Sequence, residues 1–358
     1  MFRQTKDNIF FITQKIIEQF NRKKKVCGIF FDIASAFDKV WHNGIIYKLI
    51  KIKIPSYIIC WIKNFLENRV FRVKVNNSFS QAYEISAGVP QGAALSPILF
   101  SIFINDIPVL HNKNRDYSLL FADDLVFLNF FKKFGNAQAH INKYLRQLEE
   151  WLKLWRLLMA PQKCNFIIFS NNNVDESSKL NLQLFNTKLI ANESPTFLGI
   201  RFDKQLTFKN QIKYLQTTCI NRLNFLKIVS KRSYGLNLKT LNQLYISIVR
   251  SILEYSAILS PVISKTNFDK LNVIQKKSIK IIHRKLIYTS MNEMNFDIQD
   301  LHERFDALNI KYLTNAFINN NKLVREACCE YLELINHREQ HQKTIRCSYK
   351  EHISKINI

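Results

Sequence analysis

The chain has 358 residues, 47% of them hydrophobic and 22% charged, a composition that can bury a core and excludes a disordered chain. The 52 Lys and Arg outnumber the 28 Asp and Glu and leave a net charge of +24, which favours polyanionic partners over cationic ones. The sequence has seven cysteines but no Cys-x-x-Cys pair, and it shows no secretory segment and no apolar run that could cross a membrane. These features predict an intracellular protein, nuclear or cytoplasmic, that is not secreted.

The first hundred residues predict a helix, a strand, a second helix and a hairpin. Apolar residues recur at helical spacing over residues 5–20, and Val26–Ile33 is an apolar run of strand length that contains Asp32 near its end. Phe37–Ile50 returns to helical spacing. Residues 71–75 and 79–85 then alternate around the turn residues 76–78, which predicts a β-hairpin.

The next elements surround two conspicuous motifs. Gly-Val-Pro-Gln-Gly at 88–92 precedes a helix over Pro97–Ile107, in which Pro97 suits the first turn. A second hairpin pairs Tyr117–Phe121 with Leu125–Phe130 and carries Asp123 and Asp124 at its turn.

The remainder of the chain is mostly helical. The apolar spacing predicts a helix over Gln138–Leu158, a short strand over Asn165–Ser170, largely helical structure over Phe208–Ile282 and a helical tail beyond residue 295. Residues 201–290 contain 17 Lys and Arg against three acidic residues, a net of +14, and are the candidate surface for a polyanion. Solvated surface lysines would explain the same charge without a partner.

Three carboxylates follow apolar strand sequences, where a structural role is hard to assign. These are Asp32, Asp123 and Asp124. Carboxylates from two strands that converge on one point are typical ligands of Mg²⁺, and two such ions can promote phosphoryl transfer. An Asp-Asp pair alone would reflect turn propensity, but its occurrence after Asp32 and the 88–92 loop, in this order, favours a functional site.

In these blocks the chain resembles the reverse transcriptases of non-LTR retrotransposons, in particular the jockey-like and other LINE-type elements. The matching blocks are Phe-Asp-Ile-Ala-Ser-Ala-Phe-Asp-Lys-Val-Trp-His at 31–42, Ala-Gly-Val-Pro-Gln-Gly-Ala-Ala-Leu-Ser-Pro at 87–97 and Phe-Ala-Asp-Asp at 121–124. Phe-Leu-Gly-Ile at 197–200 resembles a further block, and the similarity extends over about residues 5–260.

The resemblance implies an α+β fold, a right-hand polymerase palm of antiparallel sheet with packed helices, followed by a helical thumb and a helical C-terminal tail. The implied domains are a palm with partial fingers at 1–205, a basic helical thumb at 206–290 and a helical region of unknown role at 291–358. The implied activity is RNA-directed DNA polymerisation, with an RNA template, a DNA primer or RNA–DNA duplex, and dNTPs as partners and substrates. No membrane is implied.

The resemblance also implies site residues. Asp32, Asp123 and Asp124 would hold two Mg²⁺ ions, with Mn²⁺ as an alternative, and the backbone carbonyl of Ile33 would be a further ligand. The nucleotide-binding residues would be Phe37, which would exclude a ribose 2′-hydroxyl, Gly88, Gln91 and Gly92, and Lys163, which would assist the leaving pyrophosphate. Packing on a helix face remains the alternative for Phe37, and a plain surface position for Lys163.

Primer and template contacts are expected from the region after residue 195. Phe197, Leu198 and Gly199 would form a hairpin that grips the primer. Sequence-independent contacts to phosphates suit lysine and arginine, and charge density alone selects Lys227, Lys231, Arg232 and Lys239.

The chain departs from the family pattern in two places. The 31 residues before Asp32 are too few for the usual fingers strands or for the family's endonuclease, so those parts would be absent or supplied elsewhere. Ala-Pro-Gln-Lys-Cys at 160–164 replaces the usual Asn-Pro-Lys-Thr. Three readings follow: an active polymerase, a catalytically inactive, truncated nucleic-acid-binding remnant, and another polymerase with the same palm, such as an intron maturase.

Overall fold

A computed structural model describes residues 4–112, 114–172, 174–231, 233, 235–286, 288–290, 298–318 and 325–329. The α-helices are α1 (Thr5–Asn21), α2 (His42–Lys51), α3 (Ser56–Leu66), α4 (Ser96–Ile104), α5 (Phe134–Leu154), α6 (Lys209–Val229), α7 (Leu238–Tyr245), α8 (Ser251–Tyr255), α9 (Lys265–Ile282) and α10 (Leu301–Ile318). The strands are β1 (Lys25–Asp32), β2 (Val70–Phe71), β3 (Lys74–Val75), β4 (Ser78–Phe79), β5 (Tyr83–Glu84), β6 (His111–Asn112), β7 (Asp116–Phe121), β8 (Asp124–Phe131), β9 (Asn165–Phe169), β10 (Gln183–Leu184), β11 (Thr187–Lys188), β12 (Ile190–Ala191), β13 (Thr196–Phe197) and β14 (Ile200–Arg201).

The chain forms two compact units. The sheet unit consists of residues 23–168 and 174–192, and the helical unit consists of residues 4–22, 169–172 and the described residues from 193 onward. The division by role into 1–205, 206–290 and 291–358 stays a prediction.

A six-stranded sheet with the order β12-β9-β1-β8-β7-β6 is the centre of the sheet unit. β1 and β8 pair antiparallel, with Lys25 opposite Phe131 at one end and Asp32 opposite Asp124 at the other. β7 and β8 form the predicted hairpin. The expected antiparallel α+β arrangement is therefore confirmed at the centre of the sheet, while the edge adds a parallel pair of β12 with β9.

One face of this sheet is covered by helices, and the residues of β1 and β8 on that face are apolar. Phe31 and Phe127 are buried there against α5, whose Tyr144 stacks on Phe127 with 4.1 Å between ring centroids. α4 and α5 present apolar residues at helical spacing to the same core. Each large apolar side chain that is fully buried contributes about 1.5–3 kcal/mol.

Three predicted helices have different limits in the structure, and the one predicted over 97–107 is α4, which ends at Ile104. Residues 37–50 are not one helix, because the N–H of Gly88 donates to the carbonyl of Val40 at 2.8 Å and Trp41 bridges to Ala87. These contacts hold Val40 and Trp41 extended between a short 3₁₀ turn and α2.

The predicted helix over 138–158 begins earlier, at Phe134, and ends at Leu154. Arg156 takes a left-handed conformation with φ of 56°, and the N–H of Leu157 donates to the carbonyl of Leu152 at 3.0 Å. This is the Schellman arrangement that closes a helix, usually with glycine at the left-handed position.

The helical unit confirms the helical character predicted for residues 208–282 and for part of the tail. α6 packs along α9, and a π-helical turn at Ile246–Arg250 joins α7 to α8. α10 is held to α1 by a hydrogen bond from the Tyr312 hydroxyl to Asp7 Oδ1 at 3.0 Å. Within the described ranges, no helix has the length and hydropathy needed to span a membrane.

A buried lysine joins three helices of the sheet unit. Lys48 of α2 has a side chain that is 6% exposed, and its ammonium donates to the Phe103 carbonyl of α4 and to Asp106. Its Nζ lies 3.5 Å from the centroid of the Trp155 ring, and Trp151 Nε1 donates to Asp106 Oδ1 at 3.2 Å. Burial lowers the pKa of Lys48, and Asp106 opposes that effect.

We expect Lys48→Met to destabilise the protein by about 2–3 kcal/mol, because it removes two hydrogen bonds and a partly buried ion pair. Lys51→Met, an exposed position on the same helix, is the matched control and should change stability by less than about 0.5 kcal/mol. Urea unfolding measures both. Equal effects of the two substitutions would contradict a structural role for Lys48.

Candidate active site

The predicted carboxylates meet at one end of the central strand pair. Asp32 is the last residue of β1 and lies directly opposite Asp124, the first residue of β8. The Asp32 carbonyl accepts from the N–H of Ala160 at 3.3 Å, on the side away from β8, so Asp32 and Asp124 form a non-hydrogen-bonded pair. In such a pair the two Cα atoms are about 4.5 Å apart, the shorter of the two Cα–Cα distances found in antiparallel sheet.

Asp123 lies in the tight turn that joins β7 to β8. Phe121 pairs with Asp124, so the loop between them contains only Ala122 and Asp123. Ala122 has a positive φ of 52°, which costs free energy for any residue with a Cβ. Strain of this kind is often found at functional sites, and here it occurs in the turn that carries Asp123 next to Asp124.

The carbonyl of Ile33 points towards the same end of the sheet. Ile33 is paired with Met159 in an isolated antiparallel bridge. The hydrogen bonds of this bridge are made by the residues on either side of the pair, for example from the Ala34 N–H to the Leu158 carbonyl at 2.9 Å. In such a pair the N–H and C=O of Ile33 point away from Met159. They therefore face the side on which β8 and Asp123 lie.

The three carboxylates create an electrostatic conflict. Burial, then the charge of Asp123, then that of Asp32, raise the pKa of Asp124 to about 6. Lys163 provides partial relief, because its Nζ lies 3.3 Å from Asp32 Oδ2 while its side chain is 70% exposed. Exposed ion pairs contribute little, so the site favours a further cation.

Oxygen donors and excess negative charge fit a hard divalent cation. In the described part of the chain, no three His, Cys, Asp or Glu side chains already stand close enough to form a metal-binding group. The fit therefore depends on the donor chemistry and on the raised pKa of Asp124, and the two-ion arrangement stays a prediction.

The 88–92 loop packs against the segment that follows β1. The N–H of Val89 donates to the Phe37 carbonyl at 2.9 Å. Gly88 has a φ of +87°, and a Cβ at this position would lie 2.7 Å from the backbone oxygen of Asp38. Only glycine allows this approach. The Gly88 carbonyl in turn accepts from Arg69, and lies 2.8 Å from His42 Nε2.

Two of the predicted nucleotide-binding side chains are held in place by neighbours. Gln91 is exposed, and its Nε2 donates to Asp38 Oδ1 at 2.8 Å. The Phe37 ring stacks on Phe100 with 4.4 Å between centroids and is partly buried against the core. This packing accounts for the position of Phe37 without a ligand, and its nucleotide role stays a prediction.

The candidate primer and template residues lie in the helical unit. The strands β13 and β14 form the predicted hairpin, which contains Phe197, Leu198 and Gly199. Its turn residues Leu198 and Gly199 have φ of 47° and 75°. The Tyr255 hydroxyl donates to the Leu198 carbonyl at 2.6 Å. Arg232 lies outside the described residues. Three other basic candidates are exposed: Lys227, Lys231 and Lys239.

Sequence reasoning missed the residues that shape the 88–92 loop. Asp38 accepts a hydrogen bond from Gln91. Arg69 and His42 bind the Gly88 carbonyl. Asp38 and His42 lie in the same motif block, residues 31–42, as Asp32, and this position could have marked them as site residues. Arg69 lies outside the motif blocks, so the sequence offered no such sign for it.

Comparisons with known proteins agree with the motifs. The profile of the family described as Reverse transcriptase (RNA-dependent DNA polymerase) matches residues 2–202. The chain is 30% identical over 289 residues to the probable RNA-directed DNA polymerase from transposon BS of Drosophila melanogaster, covering 78% of this chain and 32% of that protein. It is 27% identical to the RNA-directed DNA polymerase from mobile element jockey of the same organism, covering 90% and 36%.

The chain thus spans about a third of the length of these two curated relatives. Among solved structures, a telomerase from Candida albicans matches with a TM-score of 0.40 at 14% identity, covering 90% of this chain and 53% of that one.

We expect Gly88→Ala to destabilise the protein by about 3 kcal/mol, since the new Cβ would meet backbone atoms of Asp38 and the left-handed φ adds strain. Gly92→Ala is the matched control: its φ is +88°, but nothing lies within 4 Å of a new Cβ, so only strain of about 1 kcal/mol remains. Thermal unfolding compares the two. A larger loss at Gly92 would contradict the close approach at Gly88.

In metal-free protein, Asp124→Asn should increase stability at pH 7 by about 1 kcal/mol, a modest value because solvent screens a half-buried group. The pKa of Asp124 is raised from 3.8 to about 6 in the folded state. Its contribution to stability is therefore full below about pH 4 and is lost as the pH rises through 6.

Urea unfolding between pH 4 and pH 8 in EDTA should show this loss in the wild type and a smaller one in Asp124→Asn. Asp269→Asn changes an exposed carboxylate of α9 and should follow the wild type. Parallel pH profiles for wild type and Asp124→Asn would contradict the repulsion.

Proposed function

Since this chain belongs to the reverse transcriptase family, we propose that it is the RNA-directed DNA polymerase of a non-LTR retrotransposon, which adds dNTPs to a primer 3′-hydroxyl on an RNA template. The observation that carries the proposal is the pairing of Asp32 with Asp124 beside Asp123 in a strained two-residue turn. This arrangement gathers three acids at the end of a buried strand pair, where a bound cation would compensate the repulsion that Lys163 relieves only in part.

Two Mg²⁺ ions, with Mn²⁺ as the alternative, would be held by Asp32, Asp123, Asp124 and the carbonyl of Ile33. When bound, such ions stabilise the negative charge of an in-line phosphoryl transfer and orient the attacking and leaving oxygens. The protein contributes position: the antiparallel register fixes Asp32 and Asp124 to rigid strands, and their side chains need little reorganisation.

The nucleotide would lie against the segment after β1 and the 88–92 loop. Phe37 is supported from behind by Phe100, so its ring can limit the space for a ribose 2′-hydroxyl. Because Gly88 and Gly92 have no Cβ, a nucleotide could approach their backbone closely. The hydrogen bond to Asp38 would orient the Gln91 side chain. Lys163, which pairs with Asp32, would meet oxygens of the departing pyrophosphate.

Residues 206–290, the basic helices of the helical unit, would serve as the thumb. Its exposed Lys227, Lys231 and Lys239, together with Arg232, suit contacts to phosphates of a primer–template duplex without regard to base sequence. The hairpin of Phe197, Leu198 and Gly199 would contact the primer. Tyr255 fixes the carbonyl of Leu198 in that turn, which favours a rigid contact.

Primer extension tests the proposal. With oligo(dT) on poly(rA), Mg²⁺ and labelled dTTP, we expect extension by the wild type and a loss of about a thousandfold or more in Asp123→Ala, because one metal ligand is removed. Glu67→Gln, an exposed acid of the sheet unit, should keep the activity within about twofold.

Equal extension by the wild type and Asp123→Ala would overturn the assignment of the carboxylates. If neither protein extends the primer while both bind the duplex with a steep dependence on salt, the catalytically inactive nucleic-acid-binding remnant becomes the function of this chain.

A further inference from the structure

A cavity of about 1040 Å³ lies in the sheet unit, at the other end of β8 from the carboxylates. Its lining includes Asn129 and Phe131 from the end of β8 and residues from the first three turns of α5. A strand rises about 3.3 Å per residue, so Asn129 is about 17 Å along β8 from Asp124. A ligand in this cavity is therefore separate from one at the candidate active site.

The rim of the cavity is strongly cationic. No Asp or Glu contributes to the described lining, whereas five Lys and Arg do: Lys24, Arg115, Lys132, Lys133 and Lys143. The nearby carboxylate of Asp116 is buried and already engaged, with its Oδ2 2.7 Å from His140 Nε2. A cluster of this composition favours a ligand with several phosphate oxygens.

The floor of the cavity adds a specific polar atom. Asn129 is 2% exposed, and its Nδ2 donates to the Arg115 carbonyl at 3.3 Å. Because that carbonyl only accepts, the orientation of the amide is fixed. Among the described residues Asn129 Oδ1 has no hydrogen-bond partner. A buried acceptor of this kind calls for a donor, which inorganic phosphate at neutral pH offers poorly and a sugar hydroxyl or a base amine offers well.

We infer that this cavity binds a ribonucleotide unit, with its phosphates among the rim cations. A small movement of the buried Asn129 side chain would then let a hydroxyl or amino group of the ligand donate to its Oδ1. The volume suits a ligand of nucleotide size, since such pockets measure about 300–1,000 Å³. Two sources share this chemistry: a free nucleotide, and a nucleotide within an RNA strand. The second source rests on the proposed function, which brings RNA to the protein.

The test measures binding of fluorescently labelled ATP and of a labelled 12-nucleotide oligo(rA) to the full chain, by anisotropy in EDTA so that no divalent ion contributes. The rim variant is Lys132→Gln with Lys133→Gln, both exposed. The matched control is Lys51→Gln with Lys53→Gln, which removes the same charge from exposed lysines of the sheet unit that do not line the cavity.

We expect the rim variant to weaken binding about tenfold, because two charge-assisted contacts to phosphate are lost, and the control to weaken it less than twofold. Weakening with both probes supports the site and shows that a free nucleotide suffices. Weakening with oligo(rA) alone supports the site with an RNA strand as the source. Equal effects of the two double variants, or no effect of either, would overturn the proposal.

Asn129→Leu tests the floor separately, with its melting temperature as a check on folding. A folded variant that binds both probes as tightly as the wild type would overturn the proposal, and a loss of about fivefold or more would support it. Failure of the cavity and failure of the polymerase activity are thus observed in different experiments.

Discussion

The antiparallel pairing of β1 with β8 is the constraint on which the rest of the structure depends. Since side chains alternate between the faces of a sheet, a slip of one residue would move Asp32 to the opposite face from Asp124 and turn Phe31 out of the core. Phe31 and Phe127 are buried against the helices on one face, and in this register Asp32 and Asp124 lie together on the other. The position of the carboxylates is thus a consequence of packing on the other side of the same strands.

The same end of the sheet carries features that folding alone would disfavour. Ala122 has a left-handed conformation in the two-residue turn, and Asp124 is half-buried beside two further acids. Lys163 is the neighbouring cation, and it is largely exposed. A sequence selected for stability would place glycine in the turn and fewer acids beside it. That the chain keeps both, on an otherwise apolar strand pair, favours a role in binding a cation.

The elements nearest this site could be predicted from the sequence because each is specified locally. The apolar runs of β1, β7 and β8 and the turn at Asp123 and Asp124 depend only on neighbouring residues. Long-range contacts decide the rest. Val40 is extended because Gly88 binds its carbonyl, and α5 stops at Leu154 because Arg156 takes a conformation usually given to glycine. Neither contact leaves a periodic signal.

β8 also connects two regions of opposite charge. Carboxylates cluster at Asp124, and the rim lysines lie beyond Phe131. The distance of about 17 Å along β8 from Asp124 to Asn129 already exceeds the Debye length of about 8 Å at physiological ionic strength, so solvent screens the exposed groups of the two regions from each other. The acidic end repels a polyanion unless cations bind first, whereas the basic end attracts one directly. A single rigid strand can therefore hold two sites that differ in ligand, in salt dependence and in their need for a divalent ion.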